Sequence, residues 1–215
     1  MKDIEIAKML LEKKAVKINL KNPFVFTSGM RSPIYVDNRV LISYPKERRI
    51  ILDKFYYLIK QNYSDKNLIF AGTATAAIPW AAFLAQKLET PMVYVRPTPK
   101  EHGAAKQVEG QMQKGSNVLV VEDMISTGGS SIGSANALKK EYQANILGVI
   151  AIYSHTLAGA SKNFKKNNLN LNYLTDFETV VDMAAKSNYI KDREKEGVLK
   201  WKDLGVDWAK EMGFN

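Results

Sequence analysis

Residues 118–131 decide the fold, and they read Val-Leu-Val-Val-Glu-Asp-Met-Ile-Ser-Thr-Gly-Gly-Ser-Ser. Residues 118–121 form a short β-branched run, which predicts a strand buried on both faces. Two acids, Glu122 and Asp123, end that run, and a loop of glycine and hydroxyl residues follows. Apolar residues then recur at helical spacing over 132–140. The sequence therefore predicts a strand, an acid pair, a small-residue loop and a helix.

This order of elements places polar groups where an open parallel sheet binds its ligands, beyond the carboxyl ends of the strands. Free N–H groups at a helix N-terminus suit a phosphate. The carboxylates of Glu122 and Asp123 suit sugar hydroxyls or a hydrated Mg²⁺. The segment is not a Walker loop, because Ser134 stands where that motif requires lysine. The alternative is a tight strand–helix turn without a ligand, but the acids and clustered hydroxyls favour a sugar-phosphate site.

Strands and helices alternate on either side of this stretch. Such alternation predicts an α/β fold, with a doubly wound, mostly parallel sheet and helices on both faces. Apolar runs predict strands at 68–71, 92–95, 146–152 and 171–174. Helical spacing predicts helices at 4–14, 45–61 and up to residue 88. A capping box from Thr175 to Glu178 predicts one more, with Phe177, Val180, Val181 and Ala184 on its apolar face.

Three remaining segments lack a regular pattern. Residues 97–115 are polar without a core-facing period, which predicts a long surface loop, and such loops are often functional lids. Residues 162–170 are also polar, and we expect an exposed linker there. The tail carries Leu199, Trp201, Leu204 and Trp208, which we expect to pack in the core or in a subunit contact.

Composition restricts the class of protein. The chain has 215 residues, 46% of them hydrophobic, which suits one domain with a real core. It has no cysteine and only two histidines, so disulfides are excluded and zinc is disfavoured. The start of the sequence does not resemble a signal peptide, and no apolar run reaches a membrane span, so we expect a cytoplasmic protein without membrane contact. The net charge of +9 comes without a long basic run, so we expect no nucleic-acid partner.

Residues 122–130 resemble the signature of the phosphoribosyltransferase family for phosphoribosyl pyrophosphate (PRPP). That signature is an apolar strand, two acids, and then threonine, serine and glycine residues. The resemblance implies the phosphoribosyltransferase fold and a catalytic role for the acid pair. It also implies that PRPP contacts Glu122, Asp123, Met124, Ile125, Ser126, Thr127, Gly128, Gly129 and Ser130.

Residues 24–37 read Phe-x-Phe-Thr-Ser-Gly-Met-Arg-Ser-Pro-Ile-Tyr-x-Asp and resemble the N-terminal hood of orotate phosphoribosyltransferases. The resemblance implies that Tyr35 and Val36 line the base, that Thr27 lies close to both substrates, and that Ser126 touches orotate. It also implies a single domain over 1–215, in which residues 1–40 supply an N-terminal helix and the small hood.

The cations of the long loop resemble the catalytic loop of the same family, in the pattern Arg-x-x-x-Lys-x-His-Gly that begins at Arg96. The resemblance implies that Arg96, Lys100 and His102 bind PRPP, and that Lys100 and His102 act in catalysis on the pyrophosphate leaving group. Three positions depart from the family. Ala76 and Pro97 stand where relatives carry lysine, and His155 stands where several place an arginine against the orotate carboxylate. The alternative for His155 is a plain surface residue.

The implied reaction is orotate plus PRPP giving orotidine 5′-phosphate and pyrophosphate, a step of pyrimidine biosynthesis. Mg²⁺ is the implied cofactor, held mainly through PRPP rather than by a protein ligand set. The implied assembly is a homodimer whose loops reach the neighbouring site. Two alternatives remain. A PRPP-sensing regulator is disfavoured, because the basic loop is present and no helix-turn-helix precedes Phe24. A transferase for a purine base is disfavoured by the hood.

Overall fold

The computed structural model describes residues 2–26, 29–63, 67–99 and 106–214. The helices are α1 (Ile4–Glu12), α2 (Pro45–Asn62), α3 (Ile78–Leu88), α4 (Gly129–Tyr142), α5 (Ala158–Lys166), α6 (Phe177–Lys186), α7 (Asp192–Leu204) and α8 (Trp208–Glu211), with 3₁₀ turns at Asn38–Ser43 and Gly205–Asp207. The strands are β1 (Val16–Ile18), β2 (Phe24–Val25), β3 (Arg31–Ser32), β4 (Ile34–Val36), β5 (Leu68–Thr73), β6 (Met92–Val95), β7 (Val108–Glu109), β8 (Asn117–Ile125), β9 (Asn145–Ser154) and β10 (Leu171–Asp176).

The central sheet has the strand order β10-β9-β8-β5-β6-β7. The strands from β10 to β6 are parallel to their neighbours, and β7 pairs antiparallel with β6 at the edge. The chain proceeds outward from β5 to β6 and then returns to place β8 on the other side of β5. This reversal is a topological switch point, where open α/β sheets bind ligands. The predicted mostly parallel α/β fold is confirmed.

Both faces of the sheet are covered by helices, which explains the unbroken apolar runs of its strands. In β8, Leu119 and Val121 pack with the buried residues of α1, α2, α3 and α6. The alternate residues, Val118 and Val120, pack on the opposite face with buried residues of α4 and α5. Because successive side chains of a strand point to opposite faces, one continuous run serves both halves of the core.

The N-terminal region adds two small antiparallel sheets, β1 with β4 and β2 with β3. The N–H of Phe26 donates to the carbonyl of Met30 at 2.9 Å, closing the β2–β3 turn. Strand β4 leads through the 3₁₀ turn Asn38–Ser43 into α2, and Leu41 of that turn is fully buried in the main core. The segment predicted to form the hood is therefore attached to the core on the side where α2 begins.

The polar segment after β6 contains a strand that the sequence analysis missed. Strand β7 pairs with β6, and Val108 and Met112 are buried. The prediction of a continuous surface loop over 97–115 is therefore wrong for this second half. Two isolated apolar residues among glycines and charges give no period, so only the pairing partner reveals the strand.

The polar stretch 162–170 is not an exposed linker, because α5 runs to Lys166 and its Phe164 is 3% exposed. The cap of α6 also differs from the expectation. Asp176, rather than Thr175, accepts the backbone N–H of Thr179 at 3.0 Å. The predicted apolar face of α6 is confirmed, since Phe177, Val180, Val181 and Ala184 are all fully buried.

The C-terminal helices complete the main core. Trp201 of α7 and Trp208 of α8 are buried within it. Of the two expected placements, the core and a subunit contact, these two residues take the core. The indole N–H of Trp208 donates to the carbonyl of Gly197 at 2.8 Å and ties the two helices together. No helix within the described ranges is both long enough and apolar enough to cross a membrane.

Candidate active site

The acid pair lies on a part of β8 that has a strand neighbour on one side only. Pairing with β5 ends where Gly72 faces Val121, whereas pairing with β9 continues to Ile125. The strand therefore does not end before the acids, as the sequence suggested, but extends past β5 with both acids within it. This places Glu122 and Asp123 at the carboxyl edge of the sheet, beside the switch point.

Glu122 is the deeper acid of the pair, at 5% exposure. Its carboxylate accepts the hydroxyl of Ser131, in the first turn of α4, at 3.1 Å, and the backbone N–H of Asp123 at 3.3 Å. Burial, and then the nearby charge of Asp123, raise the pKa of Glu122 to about 8. At neutral pH this carboxyl therefore holds its proton for most of the time.

Asp123 is only partly buried and is the more accessible acid. Burial raises the pKa of Asp123 as well, although the positive charge of Arg39 acts in the opposite direction. Its backbone carbonyl accepts the side-chain amide of Asn38, which lies 2.8 Å away. The pair thus consists of a deep, largely protonated carboxyl and a shallower one that faces less resistance to ionisation.

The loop after β8 turns sharply into α4 at Gly128. Its φ of +81° is left-handed, and a Cβ there would lie 2.5 Å from the ring of Phe164 in α5. Only glycine fits this turn without strain. Thr127, Gly129 and Ser130 are exposed around it, so the free N–H groups at the start of α4 face solvent. Such a turn can hold an anion.

A cavity of about 230 Å³ lies between this helix start and the end of β5. The hydroxyls of Thr73 and Ser134 lie 3.0 Å apart in its wall and link β5 to α4. The cavity is therefore bounded by the end of β5 and by the start of α4. Arg96, which directly follows β6, supplies its positive charge. Its lining residues are Thr73, Ala74, Val95, Arg96, Pro97, Gln107, Gly129, Ser130, Gly133 and Ser134.

The segment between β6 and β7, residues 96–107, is called the basic loop, and it leaves and rejoins the sheet at adjacent points. The N–H of Arg96 donates to the carbonyl of Gln107 at 3.0 Å, and the side-chain amide of Gln107 donates back to the carbonyl of Arg96 at 3.1 Å. Glu141, in the last turn of α4, accepts the N–H groups of Gln107 and Val108 at 2.7 and 3.3 Å. The guanidinium of Arg96 also lies 3.5 Å from Glu109.

The other residues predicted for the site fall into three groups. Ser126 directly follows β8 and is half-buried, whereas the side chain of Ile125 is buried in the core, which leaves its backbone as the part that could contact PRPP. Tyr35 and Val36 lie on β4, three and two residues before Asn38, respectively. The predictions for Thr27, Lys100 and His102 fall outside the described residues.

His155 is not a surface residue, which corrects one of the two readings of this position. It is 4% exposed, its Nδ1 lies 3.0 Å from the hydroxyl of Tyr153, and its ring packs against Phe177 and Trp201. Burial lowers the pKa of His155 to about 4, so the ring is neutral at physiological pH. A neutral, enclosed imidazole cannot replace an arginine as the partner of a carboxylate.

Four residues of the site region were missed by the sequence analysis. Asn38 and Arg39 follow the hood and reach Asp123, and Glu141 fixes the returning end of the basic loop. Asn163 of α5 donates to the carbonyl of Thr127 at 3.1 Å. Each is a polar residue in a turn or on a helix surface, and the site residue that it influences lies more than 30 positions away in the chain, so no local pattern indicates it.

The described parts of the chain contain no group of three or more acidic, histidine or cysteine side chains that could hold a metal ion. Glu122 is already engaged by Ser131, and this leaves Asp123 as the accessible carboxylate. Mg²⁺ commonly binds through one or two carboxylates and completes its shell with water and substrate phosphates. The residues present therefore fit a magnesium ion that arrives with a phosphorylated substrate.

Comparison with known proteins gives a consistent result. Residues 44–188 match the family model described as phosphoribosyl transferase domain. The chain is 45% identical to an orotate phosphoribosyltransferase of Coxiella burnetii, over 95% of this chain and 97% of that protein. It is 42% identical to an orotate phosphoribosyltransferase of Streptococcus pyogenes serotype M12, over the same shares of the two chains.

A solved structure extends this similarity to three dimensions. The crystal structure of orotate phosphoribosyltransferase from Aeropyrum pernix superposes with a TM-score of 0.73 and is 31% identical, covering 86% of this chain and 99% of that one. The structure of Leishmania donovani UMP synthase shares the fold, with a TM-score of 0.77 at 23% identity, covering 93% of this chain and 42% of that one.

Proposed function

The chain belongs to the orotate phosphoribosyltransferase family, and we propose that it transfers the phosphoribosyl group of PRPP to orotate. The products are orotidine 5′-phosphate and pyrophosphate. The observation that carries the proposal is the identity of 45% to a curated relative over almost the whole of both chains. The site supports it, because the acid pair, the anion-binding turn and the cavity meet at one edge of the sheet.

The reaction poses two electrostatic problems. The sugar carbon gains positive charge as pyrophosphate departs, and the leaving group carries several negative charges. Asp123, the accessible acid, holds the ribose hydroxyls and supplies negative potential beside the sugar. Glu122 lies behind it, binds Ser131 and keeps the start of α4 in register with the acids. Arg96 faces the leaving group from the far wall of the cavity.

The 5′-phosphate binds in the turn formed by residues 126–130. The exposed N–H groups at the start of α4 are donors that no backbone carbonyl of the helix can satisfy. Binding energy gained at this remote group holds the sugar carbon in place for reaction. Pyrophosphate occupies the cavity between Thr73 and Arg96, with Lys100 and His102 of the basic loop as further cations.

Magnesium belongs to the proposal as a cofactor carried by PRPP. When bound, it would neutralise the pyrophosphate oxygens and make this group a better leaving group. Asp123 is the residue that would hold it from the protein side. The chain's own contribution is to orient the sugar and to supply the cations of the loop.

Orotate binds beneath the hood, against Tyr35 and Val36 and beside Ser126. Strand β4 ends two residues before the turn that contacts Asp123, so the base and the sugar are served by adjacent segments. His155 takes no part in holding the orotate carboxylate, because its ring is enclosed and neutral. Positioning is the main requirement for the base, since its ring N–H is acidic enough to react without a strong general base.

We further propose a cytoplasmic homodimer in which the basic loop of one subunit completes the site of the other. Each subunit forms a single domain over 1–215, with residues 1–40 providing α1 and the hood. The packing of α1 in the same core cluster as α2 and α6 supports this single unit. The two ends of the basic loop, Arg96 and Gln107, are bonded to each other at the edge of the sheet.

The test is a PRPP-dependent assay with orotate, uracil, hypoxanthine and adenine as parallel acceptors, with pyrophosphate release as the readout. We expect turnover with orotate and with none of the other three bases. Turnover with a purine instead would assign a different base. PRPP binding by calorimetry without turnover of any base would replace the transferase by a PRPP-sensing regulator.

A further inference from the structure

Asn38 makes a contact that no local pattern in the sequence indicates. Its side-chain amide donates to the carbonyl of Asp123 at 2.8 Å, although the two residues are 85 positions apart in the chain. The side chain is fully buried. Since a carbonyl can only accept, the amide nitrogen must face Asp123 and the amide oxygen must face away.

The sheet explains why the carbonyl of Asp123 needs this donor. Pairing between β5 and β8 ends at Gly72 and Val121, so β8 lacks a strand on that side at the level of the acids. A backbone carbonyl that is buried without a partner is unfavourable. The amide of Asn38, which belongs to no strand of the sheet, satisfies this carbonyl and fixes the backbone that carries the carboxylate.

The other half of the amide indicates that stability alone does not explain this residue. The Oδ1 of Asn38 is buried and has no hydrogen-bond partner among the residues that the structure describes. Burying such an acceptor destabilises a fold. Buried polar groups left without partners are uncommon, and functional sites are one place where they occur.

The position of Asn38 in the chain links the hood to the acids. It directly follows β4 and Asp37, whose backbone N–H donates to the carbonyl of Ala15 at 2.7 Å. The carboxylate of Asp37 binds the guanidinium of Arg39 through two contacts of 2.7 and 2.9 Å. These contacts hold both neighbours of Asn38, so this residue connects the end of β4 to the backbone of Asp123.

We propose that Asn38 is a positioning residue of the transferase reaction, which couples the hood over the base to the acid that faces the ribose. The proposal rests on the function proposed above. It assigns Asn38 no contact with substrate; it acts through the backbone of Asp123. Loss of the amide should therefore leave PRPP binding largely intact and reduce the rate of the chemical step.

The variants are Asn38→Ala, which removes the donor, and Asn38→Asp, which keeps the shape but places an acceptor against the carbonyl. The matched control is Asn62→Ala, because Asn62 makes the same kind of bond, to the carbonyl of Leu58 at 2.8 Å, on the exposed end of α2. We expect both Asn38 variants to lose on the order of 10- to 100-fold in kcat, with the KM for PRPP within about threefold of wild type. The control should retain wild-type kcat.

A double-mutant cycle separates positioning from general damage to the fold. If Asn38 acts through Asp123, adding Asn38→Ala to Asp123→Asn should lower kcat by less than about threefold further. A second loss equal to that of the single variant would show independent effects and overturn the proposal. Wild-type kcat in both Asn38 variants would overturn it as well.

Hydrogen exchange gives a readout that does not depend on activity. Peptides covering residues 119–126 should exchange faster in Asn38→Ala than in wild type or Asn62→Ala, with other core strands unchanged. Unchanged exchange there would refute the coupling itself. A third outcome is possible, in which Asn38→Ala exchanges faster than wild type but the wild-type enzyme does not use orotate. This outcome would refute the proposed function, and with it the role of Asn38 in that reaction, while the contact between Asn38 and Asp123 would stand.

Discussion

The burial of Glu122 gives a pH dependence of stability with a calculable sign. Its pKa is about 8 in the folded protein against an ordinary value of 4.5. Between these values the folded chain keeps a proton that the unfolded chain releases. The contribution to stability is therefore complete below about pH 4.5, falls as the pH rises, and levels off above about pH 8.

Replacement by Glu122→Gln removes this titration while preserving the size of the side chain and a group that can bond to Ser131. Each pH unit within the window is worth about 1.4 kcal/mol. The stability of the variant relative to wild type should therefore rise with pH, by on the order of 4 kcal/mol between pH 4.5 and pH 8. The direction follows from burial, because a neutral amide avoids the cost of an enclosed negative charge.

The assay is urea unfolding of both proteins at half-unit pH intervals, at one protein concentration because the proposed subunit association would also contribute to stability. The surface variant Glu12→Gln, changed in the same way at an exposed position of α1, supplies the baseline. A stability difference between Glu122→Gln and wild type that stays constant within about 0.5 kcal/mol over the window would refute the reasoning. It would mean that Glu122 is ionised in the folded protein.

Three further predictions concern the site. Asp123→Asn should lower kcat by about 10²–10³ with little change in the midpoint of thermal unfolding, and near-wild-type turnover would remove Asp123 from the mechanism. Gly129→Val should weaken PRPP binding at least about tenfold by calorimetry, although its Cβ would meet only the Thr127 hydroxyl, at an ordinary contact distance of 3.8 Å; Gly159→Val, whose Cβ meets nothing within 4 Å, should not, and equal affinities would place the phosphate elsewhere. Mixing Lys100→Ala with Asp123→Asn should restore roughly a quarter of wild-type activity, because half the dimers are hybrid and each hybrid has one intact site; no recovery after confirmed exchange would exclude shared sites.

The sheet was predictable because both of its faces are buried. Strands β5, β8 and β9 are long enough and apolar enough that their composition alone distinguishes them from helices or loops. The acid pair was equally visible, since two carboxylates directly after an apolar run have no structural use in a core. Its depth was not visible. The extension of β8 past β5 depends on where a strand 50 residues earlier stops.

The missed elements share a different cause. Helix α5 is polar overall and buries only Ala160 and Phe164, so its segment reads as a linker even though Phe164 packs against Gly128 and shapes the anion-binding turn. Strand β7 has two residues and exists through its pairing with β6. The environment of His155 depends on Trp201, from a helix 46 positions further along the chain. Local patterns carry no information about such distant partners.

The hydrogen bonds between Arg96 and Gln107 have a consequence for how such an enzyme can be altered. They join the two ends of the basic loop at the edge of the sheet. The described contacts between the loop and the sheet therefore lie at the points where the loop leaves and returns. The length of the segment between them can change at small entropic cost, as long as the cations proposed to meet the leaving group, Lys100 and His102, are kept or replaced by equivalent ones. The fold should therefore accept loops of other lengths between Arg96 and Gln107. A library built between these two anchors would vary the handling of the leaving group while the acid pair and the hood stay unchanged.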